Sequence, residues 1–248
     1  MKYLKFTFKE ILVIVLIALV ATAGYVYFNL PSNSVVYLPG DLIEADELVD
    51  VSEDVNMYGV SAYSILIEDR MDFVKYWLYD KKIHLKYIYV KLNKEENLVE
   101  QRKDGLIESL TAEKDARLSI IDYVFDHYSE EDAVEVLGDF SWEHDYYGDS
   151  ATLFMITTLI GIFEKKPWVN SDKKIVITGG FGEEGNVMTV GGVNLKALTA
   201  KENDADIFIV PKEQVDEAFH WVSKRSDLQV VGVETFDELI TWLDENVE

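Results

Sequence analysis

A serine at the start of an apolar helix is the first candidate for chemistry in this sequence. Ser150 follows Gly148 and Asp149 and precedes Ala151, and apolar residues then continue to Phe163. Free backbone N–H groups and the positive end of the helix dipole meet at such a point, and they can stabilise the oxyanion formed when a hydroxyl attacks a carbonyl. A serine in this position is more commonly a simple N-cap, so Ser150 alone does not predict an enzyme.

Lys196 is the second candidate, because it lies in a predicted helix that offers it no acidic partner. The helix is predicted to begin after the Gly191-Gly192 turn, and the positions three and four residues from Lys196 hold neither Asp nor Glu. A lysine in an apolar pocket has a lowered pKa, and its neutral amine can accept the proton of a serine hydroxyl. The alternative is an ordinary lysine whose amine extends to solvent.

Composition argues against several other kinds of site. The chain has no cysteine, and its four histidines form no H-x-x-H or H-E-x-x-H pattern, so we expect neither a thiol nucleophile nor a metal. Residues 180–185 match G-x-G-x-x-G, but a strand-like run follows them, which predicts a hairpin and no dinucleotide cofactor. A net charge of −23 disfavours nucleic acid as a partner. His144-Asp145 lies near Ser150, yet Thr152 breaks the G-x-S-x-G pattern of histidine-assisted hydrolases.

The N-terminus is predicted to be a membrane-targeting segment. Residues 1–10 hold three lysines and form a basic tail, and residues 11–28 contain no charge. An uncharged run of this length after a basic tail is typical of a transmembrane anchor with its N-terminus in the cytoplasm. The Ala-Thr-Ala at 21–23 leaves a cleaved signal peptide as the alternative. Both interpretations place the rest of the chain outside the cytoplasmic membrane.

The remaining residues are predicted to form one mixed domain. Residues 29–54 are interpreted as a linker, polar at 31–34, with a lead-in strand, and residues 55–248 as the domain itself. Strands and helices alternate in its C-terminal half, which predicts an α+β or α/β fold. The predicted strands are 35–38, 60–67, 85–90, 174–178, 187–190, 206–210 and 230–233, and the predicted helices are 97–128, 151–163, 193–203 and 236–246.

Most of residues 55–248, and most densely residues 147–213, resembles the proteolytic domain of Lon-type Ser-Lys proteases. The family pattern D-G-P-S-A-G is matched by Tyr-Gly-Asp-Ser-Ala-Thr at 147–152. The family block T-G-E-x-x-x-x-G-x-V-x-x-x-G-G-x-x-x-K is matched without a gap by Thr178, Gly179, Gly185, Val187, Gly191, Gly192 and Lys196. Ile209 to Glu213 resembles the family's I-L-P-x-E element, and Ile107-Glu108-Ser109 resembles its M-x-E-S helix.

The resemblance implies an α+β, Lon proteolytic-domain-like fold after one N-terminal transmembrane helix. It implies that Ser150 is the nucleophile and Lys196 the general base, with Thr178 orienting the lysine. Gly148, Asp149, Ala151, Gly191 and Gly192 would support them. The anchor and the Y-L-P-G element at 37–40 are similar to exported, membrane-anchored Lon-like peptidases of Gram-positive bacteria. This sequence shows neither a PDZ module nor a Walker A motif, so we expect an ATP-independent serine endopeptidase that cleaves exported peptides or unfolded proteins. The resemblance also raises the expectation of a homo-oligomer.

Two departures from the family pattern leave a second function open. Asp149 replaces the usual proline, and its charge is expected to raise the pKa of a nearby lysine and to oppose a developing oxyanion. Thr152 replaces a glycine and adds bulk at the helix start. The alternative is therefore a non-catalytic relative that binds peptides or a membrane partner.

Overall fold

The computed structural model describes residues 8–28, 31–47, 55–79, 87–91, 98–138, 148–222 and 227–248. Its elements in chain order are α1 (Phe8–Phe28), β1 (Pro31–Glu44), β2 (Met57–Asp69), α2 (Arg70–Tyr79), β3 (Ile88–Lys91), α3 (Leu98–His127), α4 (Glu130–Gly138), α5 (Thr152–Phe163), β4 (Ile175–Ile177), β5 (Gly180–Phe181), β6 (Val187–Met188), α6 (Val193–Glu202), β7 (Ile207–Pro211), α7 (Val215–Ala218), β8 (Gln229–Val233) and α8 (Phe236–Asn246). The mixed character predicted from the sequence is confirmed. Strand β1 already begins inside the stretch predicted as a polar linker.

The chain divides into two compact units, one of residues 1–36 and 64–96 and one of residues 37–63 and 97–248. In the first unit, helix α1 contains the predicted span at 11–28, and its apolar side chains between Leu12 and Val20 are exposed. The Arg70 guanidinium of α2 lies 4.0 Å from the centre of the Tyr27 ring of α1. Within the described ranges, we find no helix with both the length and the apolar character that a membrane span requires.

In the second unit, strands β2, β4, β7 and β8 lie side by side in that order. The pairs β2–β4, β4–β7 and β7–β8 are all parallel. Strand β4 is buried on both faces, as expected for an interior parallel strand. Ile175 and Ile177 join the core that contains buried side chains of α3, α5 and α8, whereas Val176 joins the core that contains those of α6.

This alternation determines where the residue after β4 points. Side chains two positions apart in a strand lie on the same face of the sheet. The Thr178 side chain is therefore expected on the face of Val176, toward α6. Because parallel strands run in the same direction, the segments that leave β4 and β7 also emerge at one edge of the sheet.

The glycine-rich stretch at 180–185 is a hairpin, as predicted. Strands β5 and β6 pair antiparallel, with Gly180 opposite Met188 and Phe181 opposite Val187. A short 3-10 turn, Glu183–Gly185, joins them. No helix follows the glycines directly, so the local structure lacks the helix N-terminus that a dinucleotide pyrophosphate would need.

Candidate active site

Ser150 lies in the turn that leads into α5. The N-cap of α5 is Ala151, and no side chain caps the helix, so the interpretation of Ser150 as a plain N-cap is wrong. The turn begins at Gly148, whose φ of +106° is readily adopted only by glycine. The Ser150 residue is half-buried. The apolar helix predicted after Ser150 is therefore present, and it begins at Thr152, two residues after the serine.

Three hydrogen bonds hold this turn against the segment that follows β4. The Ser150 carbonyl oxygen accepts from the Gly179 N–H at 3.0 Å and from the Thr178 hydroxyl at 3.1 Å. The Leu153 N–H donates to the Gly179 carbonyl at 3.1 Å. The Thr152 N–H donates to the Asp149 carbonyl at 2.9 Å. The first two N–H groups of α5 are thus engaged, which differs from the outward-facing donors expected from the sequence.

Lys196 is buried in the first half of α6. Only 3% of its surface is exposed, and every residue from Val193 to Ala200 is buried as well. Burial lowers the pKa of Lys196 from 10.5 to about 8, while the charges of Asp149 and Glu217 act in the opposite direction. The interpretation of Lys196 as a surface lysine is therefore wrong, whereas Lys201 on the same helix is exposed.

The Thr178 hydroxyl connects Lys196 to the serine turn. It accepts a hydrogen bond from the Lys196 Nζ at 3.2 Å and donates one to the Ser150 carbonyl at 3.1 Å. The amine is therefore held one hydroxyl away from the main chain of Ser150. Such a contact is what the orienting role implied for Thr178 by the family resemblance would require. The chemical roles of the three residues remain predictions.

Asp149 lies between the lysine and the hairpin. Burial raises the pKa of its carboxyl, and the positive charge of Lys196 partly offsets that effect. A methyl group on Gly180 would come within 2.8 Å of Asp149 Oδ2, so the glycine makes room for the carboxylate. The expectation that Asp149 raises the pKa of the lysine is confirmed in direction.

Thr152, the second departure from the family pattern, is accommodated without conflict. Its buried hydroxyl donates to the Asp149 carbonyl at 2.6 Å and accepts from the Phe181 N–H at 2.9 Å. The side chain therefore ties the serine turn to strand β5. A glycine at this position would leave the Phe181 N–H without that acceptor.

The two glycines before α6 set the start of the lysine helix. Gly192 has a left-handed backbone with φ +69° and forms the N-cap. Its carbonyl accepts from the N–H groups of both Leu195 and Lys196 at 3.0 Å. The predicted Gly191-Gly192 turn is confirmed, and it positions Lys196 in the first turn of α6.

Two groups near the site were missed from the sequence. Glu113 of α3 is buried, accepts from the Gly148 N–H at 3.3 Å and pairs with Arg117 at 2.5 Å. The sequence instead singled out Glu108, which is exposed. Glu217 of α7 acts on the Lys196 charge although 21 positions separate the two residues. Neither contact has a local sequence signal, because each depends on how distant helices pack.

No three acidic or histidine side chains in the described ranges lie close enough together to hold a metal ion. His144 and Asp145, the histidine-assisted alternative, lie outside the described residues.

Comparisons with known proteins agree with this arrangement. Residues 144–244 match the family model of the Lon protease (S16) C-terminal proteolytic domain. The archaeal Lon protease of Pyrococcus abyssi is 33% identical over 93 residues, which cover 38% of this chain and 9% of that protein. The archaeal Lon proteases of Archaeoglobus fulgidus and Thermococcus kodakarensis are 28% and 29% identical over 93 residues, which cover 14% of each protein.

The matched region contains Ser150, Thr178 and Lys196, and the chain spans only a small part of the length of these relatives. In this chain, the Thr178 hydroxyl joins the serine turn to the lysine helix. The comparisons therefore support a Lon-type proteolytic domain over residues 144–244.

Proposed function

We propose that this chain is a serine endopeptidase in which Ser150 is the nucleophile and Lys196 the general base. One observation carries the proposal: a buried lysine amine is joined through the Thr178 hydroxyl to the main chain of Ser150. With its pKa lowered to about 8, a useful fraction of Lys196 is neutral near pH 7. A lysine with the ordinary pKa would be almost entirely protonated there.

In the proposed reaction, the Ser150 hydroxyl attacks the carbonyl carbon of a peptide bond. Its proton passes to the Lys196 amine, which becomes an ammonium ion, and the ammonium then gives that proton to the leaving amine. Water hydrolyses the resulting acyl-enzyme with Lys196 again acting as base. The Thr152 and Leu153 N–H groups already donate to main-chain carbonyls. We therefore assign the stabilisation of the oxyanion to the two N–H groups that precede them, those of Ser150 and Ala151.

The proposal also covers the cellular location of the enzyme and its substrates. The exposed apolar side chains of α1 and the lysines of residues 1–10 support attachment of residues 11–28 to a membrane, with the peptidase on the outer side. Exported peptides or unfolded proteins would then be the substrates, and the chemistry requires no ATP, metal or cofactor. Resemblance to the Gram-positive peptidases and assembly into a homo-oligomer remain predictions.

A cleavage assay with matched lysine variants tests the catalytic roles. The full chain is incubated without ATP with fluorescently labelled, unfolded casein, beside Ser150→Ala, Lys196→Ala and Lys201→Ala. Lys201 lies on the same helix as Lys196 but is exposed. We expect both Ser150→Ala and Lys196→Ala to lose cleavage and Lys201→Ala to keep it. Unchanged cleavage by Ser150→Ala would refute the proposal.

The second candidate function, peptide binding without cleavage, is favoured by the Asp149 carboxylate beside the nucleophile. A charge there opposes the oxyanion that cleavage requires. This candidate predicts that the parent binds casein peptides without cleaving them, and that binding survives Ser150→Ala. Turnover by the parent that is lost in Ser150→Ala excludes it.

A further inference from the structure

The side chain of Gln214 binds the main chain just before the lysine helix. Gln214 ends the short 3-10 turn Lys212–Gln214 that follows β7. Its Oε1 accepts from the Val190 N–H and its Nε2 donates to the Val190 carbonyl, each at 2.8 Å. The carboxamide therefore satisfies both main-chain groups of Val190, as a neighbouring strand would.

This contact fixes the point from which α6 starts. Val190 is buried and directly precedes Gly191 and Gly192, which have the least conformational restriction of any residues. The Gly192 carbonyl accepts the Lys196 N–H. Without a fixed residue before the two glycines, the first turn of α6 would have greater freedom, and the Lys196 amine with it.

Gln214 also binds the carboxylate of Glu217, whose charge acts on the lysine. Its Nε2 donates a second hydrogen bond, at 3.1 Å, to Glu217 Oε2 on α7. The negative charges that act on the Lys196 amine are those of Glu217 and of Asp149, which approach from α7 and from the serine turn. Both Gln214 and Glu217 are half-buried, and the mechanism described so far uses neither.

The same pair of strands supports both sides of this arrangement. Thr178 follows β4, and its N–H donates to the Ile209 carbonyl of β7 at 3.0 Å. Gln214 follows the carboxyl end of β7 itself. Thr178, which accepts the Lys196 hydrogen bond, and Gln214, which binds Val190 before α6, thus follow two neighbouring parallel strands.

Building on the proposed function, we propose that Gln214 and Glu217 are positioning residues of the peptidase site. Gln214 fixes the turn that starts α6 and holds the Glu217 carboxylate, which acts as the counter-charge of Lys196 when the lysine carries the proton. The proton moves only from Ser150 to Lys196 and from Lys196 to the leaving amine.

Two isosteric substitutions in the full chain test this role, because they change the charge near Lys196 in opposite directions. Glu217→Gln removes the counter-charge. Gln214→Glu adds a negative charge and can no longer donate to Val190 or to Glu217. Glu202→Gln is the matched control, since it removes one exposed carboxylate from the lysine helix itself.

The readout is the titration of Lys196, followed by the NMR signal of 13C-labelled lysine side chains and assigned by its loss in Lys196→Met. We expect the midpoint to fall by about half a pH unit or more in Glu217→Gln and to rise by a similar amount in Gln214→Glu. Glu202→Gln should leave it unchanged. Opposite shifts of this kind cannot come from a general loss of stability.

Kinetics supply the second readout. We expect kcat to fall at least about tenfold in Gln214→Glu, with KM changed less than about twofold, because the residue positions the base and does not bind substrate. Midpoints that stay within the range of Glu202→Gln for both variants would overturn the proposal. If Gln214→Glu does not fold, the Glu217→Gln midpoint alone decides.

The NMR titration needs no turnover. A parent without peptidase activity would therefore defeat the proposed function while the positions of Gln214 and Glu217 are still measured. An active parent with unshifted midpoints would defeat only the inference about these two residues.

Discussion

Replacement of Asp149 by asparagine is the sharpest test of how the site sets its working pH. The substitution keeps the shape of the side chain and removes the negative charge that acts on Lys196. The Thr152 hydroxyl bonds to the Asp149 main-chain carbonyl, so the link between the serine turn and the hairpin is kept. The pKa of Lys196 should therefore fall further below about 8 while the local structure is preserved.

The size of the effect follows from the fraction of neutral lysine. With a pKa of about 8, about one Lys196 amine in ten is neutral at pH 7, against about one in three thousand for an ordinary lysine. A neighbouring charge changes a pKa by about one unit or more. A decrease of about one unit raises the neutral fraction at pH 7 to about one half, so kcat/KM at pH 7 should rise about fivefold.

The assay is the pH dependence of kcat/KM for the parent and Asp149→Asn, with Glu202→Gln as the control for charge removal at a distance. We expect the alkaline-rising limb to move to lower pH by about one unit, with a plateau at least as high, because less charge opposes the oxyanion. The difference should disappear as Asp149 itself becomes protonated in acid. An unmoved limb, or one displaced to higher pH, would refute the reasoning.

Two further predictions concern stability. Thr152→Ala leaves the buried Phe181 N–H without its acceptor and should lower the free energy of unfolding by about 1–3 kcal/mol in denaturant titrations, whereas Thr152→Ser should change it by less than about 1 kcal/mol. Lys196→Met should abolish cleavage yet stabilise the fold at pH 7 by about 1–3 kcal/mol, because the folded pKa of about 8 lies below the unfolded value of 10.5. The unfolded state then binds more protons between these two values, so parent stability rises with pH through that range and the gain from methionine should shrink by pH 10; a gain that persists there would contradict this account.

The residues that resemble the family were predictable because their spacing carries backbone requirements. Gly192 must adopt a left-handed conformation at the start of α6, and Gly148 must do so before the serine turn. Thr178 follows a buried strand, and the two-residue period of that strand orients its hydroxyl toward α6. The family resemblance implied that Thr178 orients the lysine, and the strand period gives the physical reason why the two side chains meet.

Other parts of the structure had a signal that was not used. Helix α4 was not predicted, although Ser129 precedes it and the Ser129 hydroxyl accepts from the Asp132 N–H at 3.2 Å while donating to the Asp132 carboxylate at 2.7 Å. The contact from the Asp132 N–H to the Ser129 hydroxyl is that of a serine N-cap at a helix start. Strand β1 was predicted too short at its beginning, because Pro31 and the polar residues after it look like a linker when read alone.

The contacts of Glu113, Gln214 and Glu217 lay beyond any reading of local sequence. Glu113 reaches the serine turn across 35 positions, and Gln214 reaches Val190 across 24. Each contact depends on where α3 or α7 packs, which is decided by the two hydrophobic cores together. Polar side chains that act over such separations have no periodicity or motif by which to be found.

The position of Lys196 explains why these distant residues matter. Its burial favours the neutral amine that a general base requires, whereas Asp149 and Glu217 favour the ammonium form that must last until the leaving amine takes the proton. Too little burial would leave the amine protonated at neutral pH, and too little negative charge would make the ammonium intermediate costly. The proposed activity therefore depends on a balance among α6, α7 and the serine turn. A sequence that kept Ser150 and Lys196 but lost that packing would keep the pair of residues without the base.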